Sequence, residues 1–143
     1  MSLTDDPTIE RTTDLDINVD DLWALISTAT GWTSWLVDEA DVDIAPGAVG
    51  SAVEDGLVRQ VRIDSVTEGR RIAFSWWNRD DPSSASYVQL DIVELPDDHS
   101  QLHISEQFRG SSATSCMSSG TAVSWDVRLV SLWLLIAQSA VMA

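Results

Sequence analysis

The sequence predicts an α+β domain over residues 1–143: a curved antiparallel sheet of about six or seven strands around one long C-terminal helix, with two short helices after the first strand. Three observations predict it. Residues 8–17 alternate apolar and polar, turn signals then cut 37–109 into short β-like runs, and the stretch from Thr121 onward contains neither Gly nor Pro. A chain of 143 residues fits one domain, and at that size about 68–70% of the unfolded surface is buried without any metal or disulfide staple.

Thr8 to Ile17 puts Ile9, Arg11, Thr13, Leu15 and Ile17 on one face and Glu10, Thr12, Asp14 and Asp16 on the other, the period of a half-buried strand. Asn18 then precedes VDDLWALIS. Its side chain suits an N-cap, Asp20 and Asp21 suit the positive first turn, and Val19, Leu22, Trp23, Leu25 and Ile26 recur at helical spacing. Gly31 interrupts this helix, and Thr30 to Leu36 reads as a second helical turn with Trp32 and Trp35 three apart on one face.

Turn signals follow at Pro46-Gly47, Gly50, Asp55-Gly56, Glu68-Gly69, Asp80-Asp81-Pro82 and Pro96-Asp97-Asp98, leaving strands at 37–44, 49–54, 57–67, 70–79, 85–95 and 100–109. Ile72, Phe74 and Trp76 share a face, as do Val88, Leu90 and Ile92, and as do Leu102, Ile104, Glu106 and Phe108, while Tyr87 falls out of phase. The segment 110–120, GSSATSCMSSG, is a small, Ser-rich connector expected to be mobile. From Thr121 the chain has enough residues for about six helical turns and is apolar around much of its circumference, so it is buried along its length or covered by a partner.

Charge narrows the function classes. There are 23 acidic residues against 8 basic ones, all Arg, for a net charge of −15; residues 1–55 hold 13 of the acids and a single Arg. Such a field repels phosphate backbones and anionic lipid, which argues against nucleic acid and membrane binding. A solvated acidic surface is the plain reading of the uneven half, and a basic protein partner is the functional one. Cys116 is alone, which allows no internal disulfide and suits a reducing cytoplasm. MSLTDDPTIE lacks signal-peptide features, and the most apolar stretch, Leu129 to Ala137, falls short of the roughly 20 residues that span a bilayer.

No HExxH, GxxxxGK[ST], GxGxxG or C-x-x-C motif occurs, and no cofactor or metal is expected. His99 and His103 fall on turn and outward positions, and Cys116 has no positioned base. No catalytic residue is assigned. Glu106 stands out because its strand phase turns it inward, where a carboxylate must find donors or shift its pKa upward. Arg11, on the inward face of the first strand, is one conceivable partner; a satisfied buried pair and a ligand-orienting pair are both open. Seven Trp are present, of which Trp32, Trp35, Trp76, Trp125 and Trp133 are assigned inward, where indoles can line a cavity or simply fill a core.

IERTTDLDINVDDLWALIS at 9–27, the W-x-x-W-L of Trp32, Trp35 and Leu36, Gly47 and Gly50, RRIAFSWW at 70–77, the strand closing on Glu106 and Phe108, and Trp125 together resemble the START-like helix-grip (SRPBCC) superfamily, within it the group resembling activators of the heat-shock protein 90 ATPase. Asn18-Val19 stands where that family commonly has Pro, and Gln107 where it often has Gly. The resemblance implies a cavity between sheet and C-terminal helix. A small hydrophobic or amphipathic molecule would sit there without being transformed, walled by Trp32, Trp35, Phe74, Trp76, Leu102, Ile104, Phe108 and Trp125, oriented by Glu106 and Arg11, and gated by the 110–120 connector. The same resemblance implies two alternatives: a chaperone-linked module that binds a protein partner through its acidic surface, and an aromatase/cyclase-like enzyme using Glu106 as base or proton shuttle. A face of the last helix could also pair two chains.

Overall fold

A computed structural model describes residues 8–54, 56–108 and 121–142. One antiparallel sheet holds seven strands: β1 (Thr8–Leu15), β2 (Glu39–Asp41), β3 (Val49–Glu54), β4 (Leu57–Thr67), β5 (Arg71–Asn78), β6 (Asp81–Leu95) and β7 (His99–Phe108). Their order is β1-β7-β6-β5-β4-β3-β2, a meander from β2 to β7 with β1 folded back against β7. The helices are α1 (Val19–Ile26), α2 (Ala29–Trp35) and α3 (Thr121–Met142).

Three elements differ from the sequence reading by more than one residue. β1 ends at Leu15 because residues 16–18 already turn into α1, where Asn18 caps by accepting from the Asp21 amide at 2.8 Å. β2 keeps only three residues, since the Val37 amide is tied back to the Trp32 carbonyl. β6 starts at Asp81, four residues early, because Asn78 and Asp81 pair across a tight reversal that leaves no room for a longer turn.

α1 and α2 are joined through the indoles of the W-x-x-W pair. Trp32 Nε1 donates to the Ile26 carbonyl at 2.8 Å and Trp35 Nε1 to the Leu25 carbonyl at 3.0 Å. Those carbonyls lie in the last turn of α1, where no intrahelical donor is left. Gly31 lets the two helices close up, because a Cβ there would stand 2.6 Å from the Ala24 and Leu25 carbonyl oxygens.

The concave side of the sheet carries the core. β7 alternates without a break, with Ser100, Leu102, Ile104, Glu106 and Phe108 buried and the residues between them partly exposed. α3 lays Trp125, Arg128, Leu132 and Ile136 onto this side at three- and four-residue steps. Trp133, expected inward, is instead 57% exposed: it lies about 80° around the helix from Trp125 and rests its Nε1 on Thr13 Oγ1 at 3.2 Å. The 110–120 connector, Cys116 and the first seven residues lie outside the described residues.

Candidate functional site

Among the described residues Glu106 is the one acidic residue in the buried core, 3% exposed. Its neighbours are set by register: Val88 of β6 and Ile9 of β1 stand across from it, and Trp76 of β5 faces Ser86 of β6. This places three neutral donors around the carboxylate. Trp76 Nε1 donates to Oε2 at 3.0 Å, Ser86 Oγ to the same oxygen at 2.5 Å, and Trp125 Nε1 to Oε1 at 2.7 Å. Both oxygens are thus engaged, and the donors come from β5, β6 and α3. Desolvating a carboxylate is offset only when such donors are in place.

The expected partner is not among them. Arg11 turns toward the start of α3 and pairs with Asp126 at 2.9 Å, a half-exposed contact, because in its register it stands opposite Ile104 rather than Glu106. Among the described ion pairs, Glu106 has no cation.

The wall residues divide into two groups. Trp32, Phe74, Trp76 and Trp125 form a continuous aromatic row, with centroid separations of 4.7, 5.2 and 6.5 Å. Leu102, Ile104 and Phe108 continue the buried face of β7. Trp35 is buried as well, with its polar atom committed to α1.

Arg128 is what the sequence reading missed. It is 4% exposed, donates from Nε to the Leu36 carbonyl at 3.0 Å, is bidentate to Glu54 at the end of β3, and stacks over Trp125 at 4.6 Å and Trp76 at 5.3 Å. Arg59 covers Trp76 at 4.3 Å. A lone Arg in an apolar helix was the available signal. A charge in the otherwise apolar VRLVSLWLL run must either face water or find a carboxylate, and Glu54 is that carboxylate.

Among the described residues three clefts open elsewhere, and none of the ten predicted site residues lines them. The first, about 660 Å³, lies between α1, α2, the later part of α3 and the β6–β7 turn. The second, about 500 Å³, sits on the outer sheet face around Arg71 and Asp91; the Asp91 carboxylate hydrogen-bonds the Arg71 guanidinium and raises its pKa above the usual value. The third, about 380 Å³, runs between β1 and α3 beside Trp133. Both histidines sit on the polar side, His103 Nδ1 at 2.9 Å from Thr12 Oγ1 and His99 Nε2 at 3.3 Å from Asp16. Among the described residues no group of three or more His, Cys, Asp or Glu could hold a metal, and no helix is long and apolar enough to cross a membrane.

The family model of activator of Hsp90 ATPase homolog 1-like proteins matches residues 16–132. A protein of Mesorhizobium loti superposes with a TM-score of 0.80 at 17% identity, covering 92% of this chain and 98% of that one. CalU16 from Micromonospora echinospora gives 0.72 at 22% identity over 90% of this chain and 73% of that one. The Aha1 dimer of Colwellia psychrerythraea gives 0.73 at 10% identity over 91% and 96%. At these identities the likeness is one of fold. No curated protein matches the chain.

Proposed function

The chain belongs to the activator of Hsp90 ATPase homolog 1-like family and has its helix-grip fold, and on that premise we propose that it binds a small hydrophobic or amphipathic molecule between the sheet and α3, with Glu106 orienting the polar end. The observation that carries this reading is the donor set of Glu106: a carboxylate buried in an aromatic row and held by neutral donors alone. A purely structural core gains nothing from a charge there, since an apolar residue of similar volume avoids the desolvation. A ligand hydroxyl or amide can take the place of one donor without leaving the carboxylate unsatisfied. Trp125 is that donor, because α3 is the element that covers the sheet.

The test is intrinsic Trp fluorescence during titration with fatty acids, sterols, flavonoids and polycyclic aromatics, repeated on Trp76→Phe and Glu106→Gln. A saturable change that shrinks in both variants is expected. No saturable change in any member of the panel, or one unaltered by both substitutions, overturns the reading.

A second reading, a protein-binding module, is supported by the outer face of α3, where Val127, Val130, Trp133 and Leu134 are 57–59% exposed. The Colwellia relative is described as a dimer, and a second copy of this chain is the partner such a face fits. Light scattering that gives the mass of one chain at all concentrations would remove it. A basic partner drawn to the acidic half would instead bind more weakly as salt rises.

A further inference from the structure

The cleft between α1, α2, α3 and the β6–β7 turn plays no part in the reading above. Its volume of about 660 Å³ lies inside the range of small-molecule sites, roughly 300–1,000 Å³. Ile17, Ala24, Leu25, Leu135 and Ile136 give it an apolar floor. Its ionisable lining has one sign: Asp16, Asp21 and Asp98, and no Arg among the described residues.

Each carboxylate reaches the rim from a different element. Asp16 comes from the β1–α1 turn, Asp21 from the first turn of α1, and Asp98 from the β6–β7 turn, where Asp97 and Asp98 both hold a left-handed backbone at φ of 63° and 59°. Asp21 accepts from Asn18 Nδ2 at 3.1 Å, Asp16 stands 3.3 Å from His99 Nε2, and Asp98 has no side-chain partner among the described residues.

Asp16 and Asp21 belong to the acidic stretch 1–55, and Asp98 joins them at the rim from the β6–β7 turn. The cleft on the outer sheet face mixes Arg70, Arg71, Asp91 and His103, and the cleft beside Trp133 has no charged residue in its described lining. Of these three clefts among the described residues, the first sets an apolar floor against carboxylates alone.

We infer that this cleft binds a hydrophobic cation, its apolar body on the floor and its ammonium group between Asp16 and Asp98. Rim carboxylates attract a cation while its chain leaves water on the apolar floor. An amphiphile of the same length ending in a carboxylate meets the same rim with the wrong sign. The site is separate from the grip around Glu106, so either can fail without the other.

The test titrates the full chain with decylammonium and with decanoate, both below their micelle concentrations, followed by calorimetry and by amide and indole NMR shifts. Decylammonium is expected to bind saturably and one to one, to move the amides of Ala24, Leu25, Gly31 and Leu135, and to leave the Trp76 and Trp125 indole signals in place. Affinity should fall with salt, and by about fivefold in the double variant Asp16→Asn/Asp98→Asn, in line with exposed charge contacts. Asn is at ease in the left-handed region, so that variant keeps its fold. Glu39→Gln/Asp41→Asn, on exposed positions of β2, measures attraction by the acidic surface in general. Equal binding of decanoate, equal weakening in the β2 variant, or shifts confined to the Trp76 and Trp125 indoles would each overturn the inference.

Discussion

The two faces of α3 are similar in hydropathy yet opposite in burial. The face on the sheet carries Trp125, Arg128, Leu132 and Ile136, at 0, 4, 0 and 7% exposure, and so includes a full charge. The outer face carries Val127, Val130, Trp133 and Leu134, all more than half exposed, with Asp126 beside them at the N-terminal end. Hydropathy alone does not choose between the faces, since each is apolar apart from one charge. What decides the orientation is complementarity: the first face meets a carbonyl and a carboxylate for Arg128 and a buried oxygen for the Trp125 indole, while the second has partly exposed partners, Thr13 for the Trp133 indole and Arg11 for Asp126.

Substituting the two indoles breaks the comparison most sharply. Trp125→Ala removes a fully buried ring from the aromatic row and a donor from Glu106, and should cost about 3–5 kcal/mol. Trp133→Ala removes a ring more than half in water and should cost about 1 kcal/mol or less. Urea unfolding of the two variants measures both; equal midpoint shifts would mean that the outer face is covered in solution.

The charged residues repeat the contrast on a smaller scale. Arg128→Met leaves Glu54 without its guanidinium and the Leu36 carbonyl without a donor. Loss of one partner of a fully buried pair costs about 3–5 kcal/mol; since the Glu54 side chain is 21% exposed, about 2 kcal/mol is the discounted expectation. Arg11→Met breaks a pair whose side chains are 34% and 59% exposed, worth about 0.5 kcal/mol. A double-mutant cycle on Arg128 and Glu54 separates their coupling from the packing of the Arg stem on the two indoles.

Glu106→Gln sharpens the comparison at the point where α3 meets the sheet. Whichever way the amide is turned, one of its ends is N–H₂ and faces an indole N–H, of Trp125 or of Trp76. Relief from burying a charge offsets part of that loss, so the net cost is about 1 kcal/mol. One of the two indoles, Trp76 or Trp125, should then exchange its hydrogen faster than in the parent, and unchanged exchange of both would mean that the indoles are held by packing alone.

The sequence carried the elements and their inward faces because those follow from local spacing. The period-two pattern of β7 turned Glu106 inward, and Asn18 marked the start of α1. Lateral neighbours were another matter. Arg11 and Glu106 share the inward face of adjacent strands, but the register of β1 on β7 sets Arg11 opposite Ile104, and alternation does not encode register. Ser86 was missed because a single hydroxyl gains meaning only from standing across from Trp76. For Arg128 the available signal was a lone charge in an apolar helix, and neither its partner nor the outward turn of Trp133 could be read, because α3 is apolar nearly all round and its rotation is fixed by Glu54 and Glu106, which lie 74 and 19 residues from Arg128 and Trp125.

The smallest effect belongs to the outer face itself. In Val130→Ser/Leu134→Ser little apolar surface returns to water, since both side chains are more than half exposed already. What remains is the weaker helix propensity of Ser relative to Leu, worth about 0.5 kcal/mol. Thermal unfolding of the dilute variant should therefore stay close to the parent. If the face pairs two chains, the parent will lose that agreement as concentration rises, because association stabilises only the folded state, and the variant will not follow it. Parent and variant melting together at every concentration would show that the apolar outer face of α3 stands open to water.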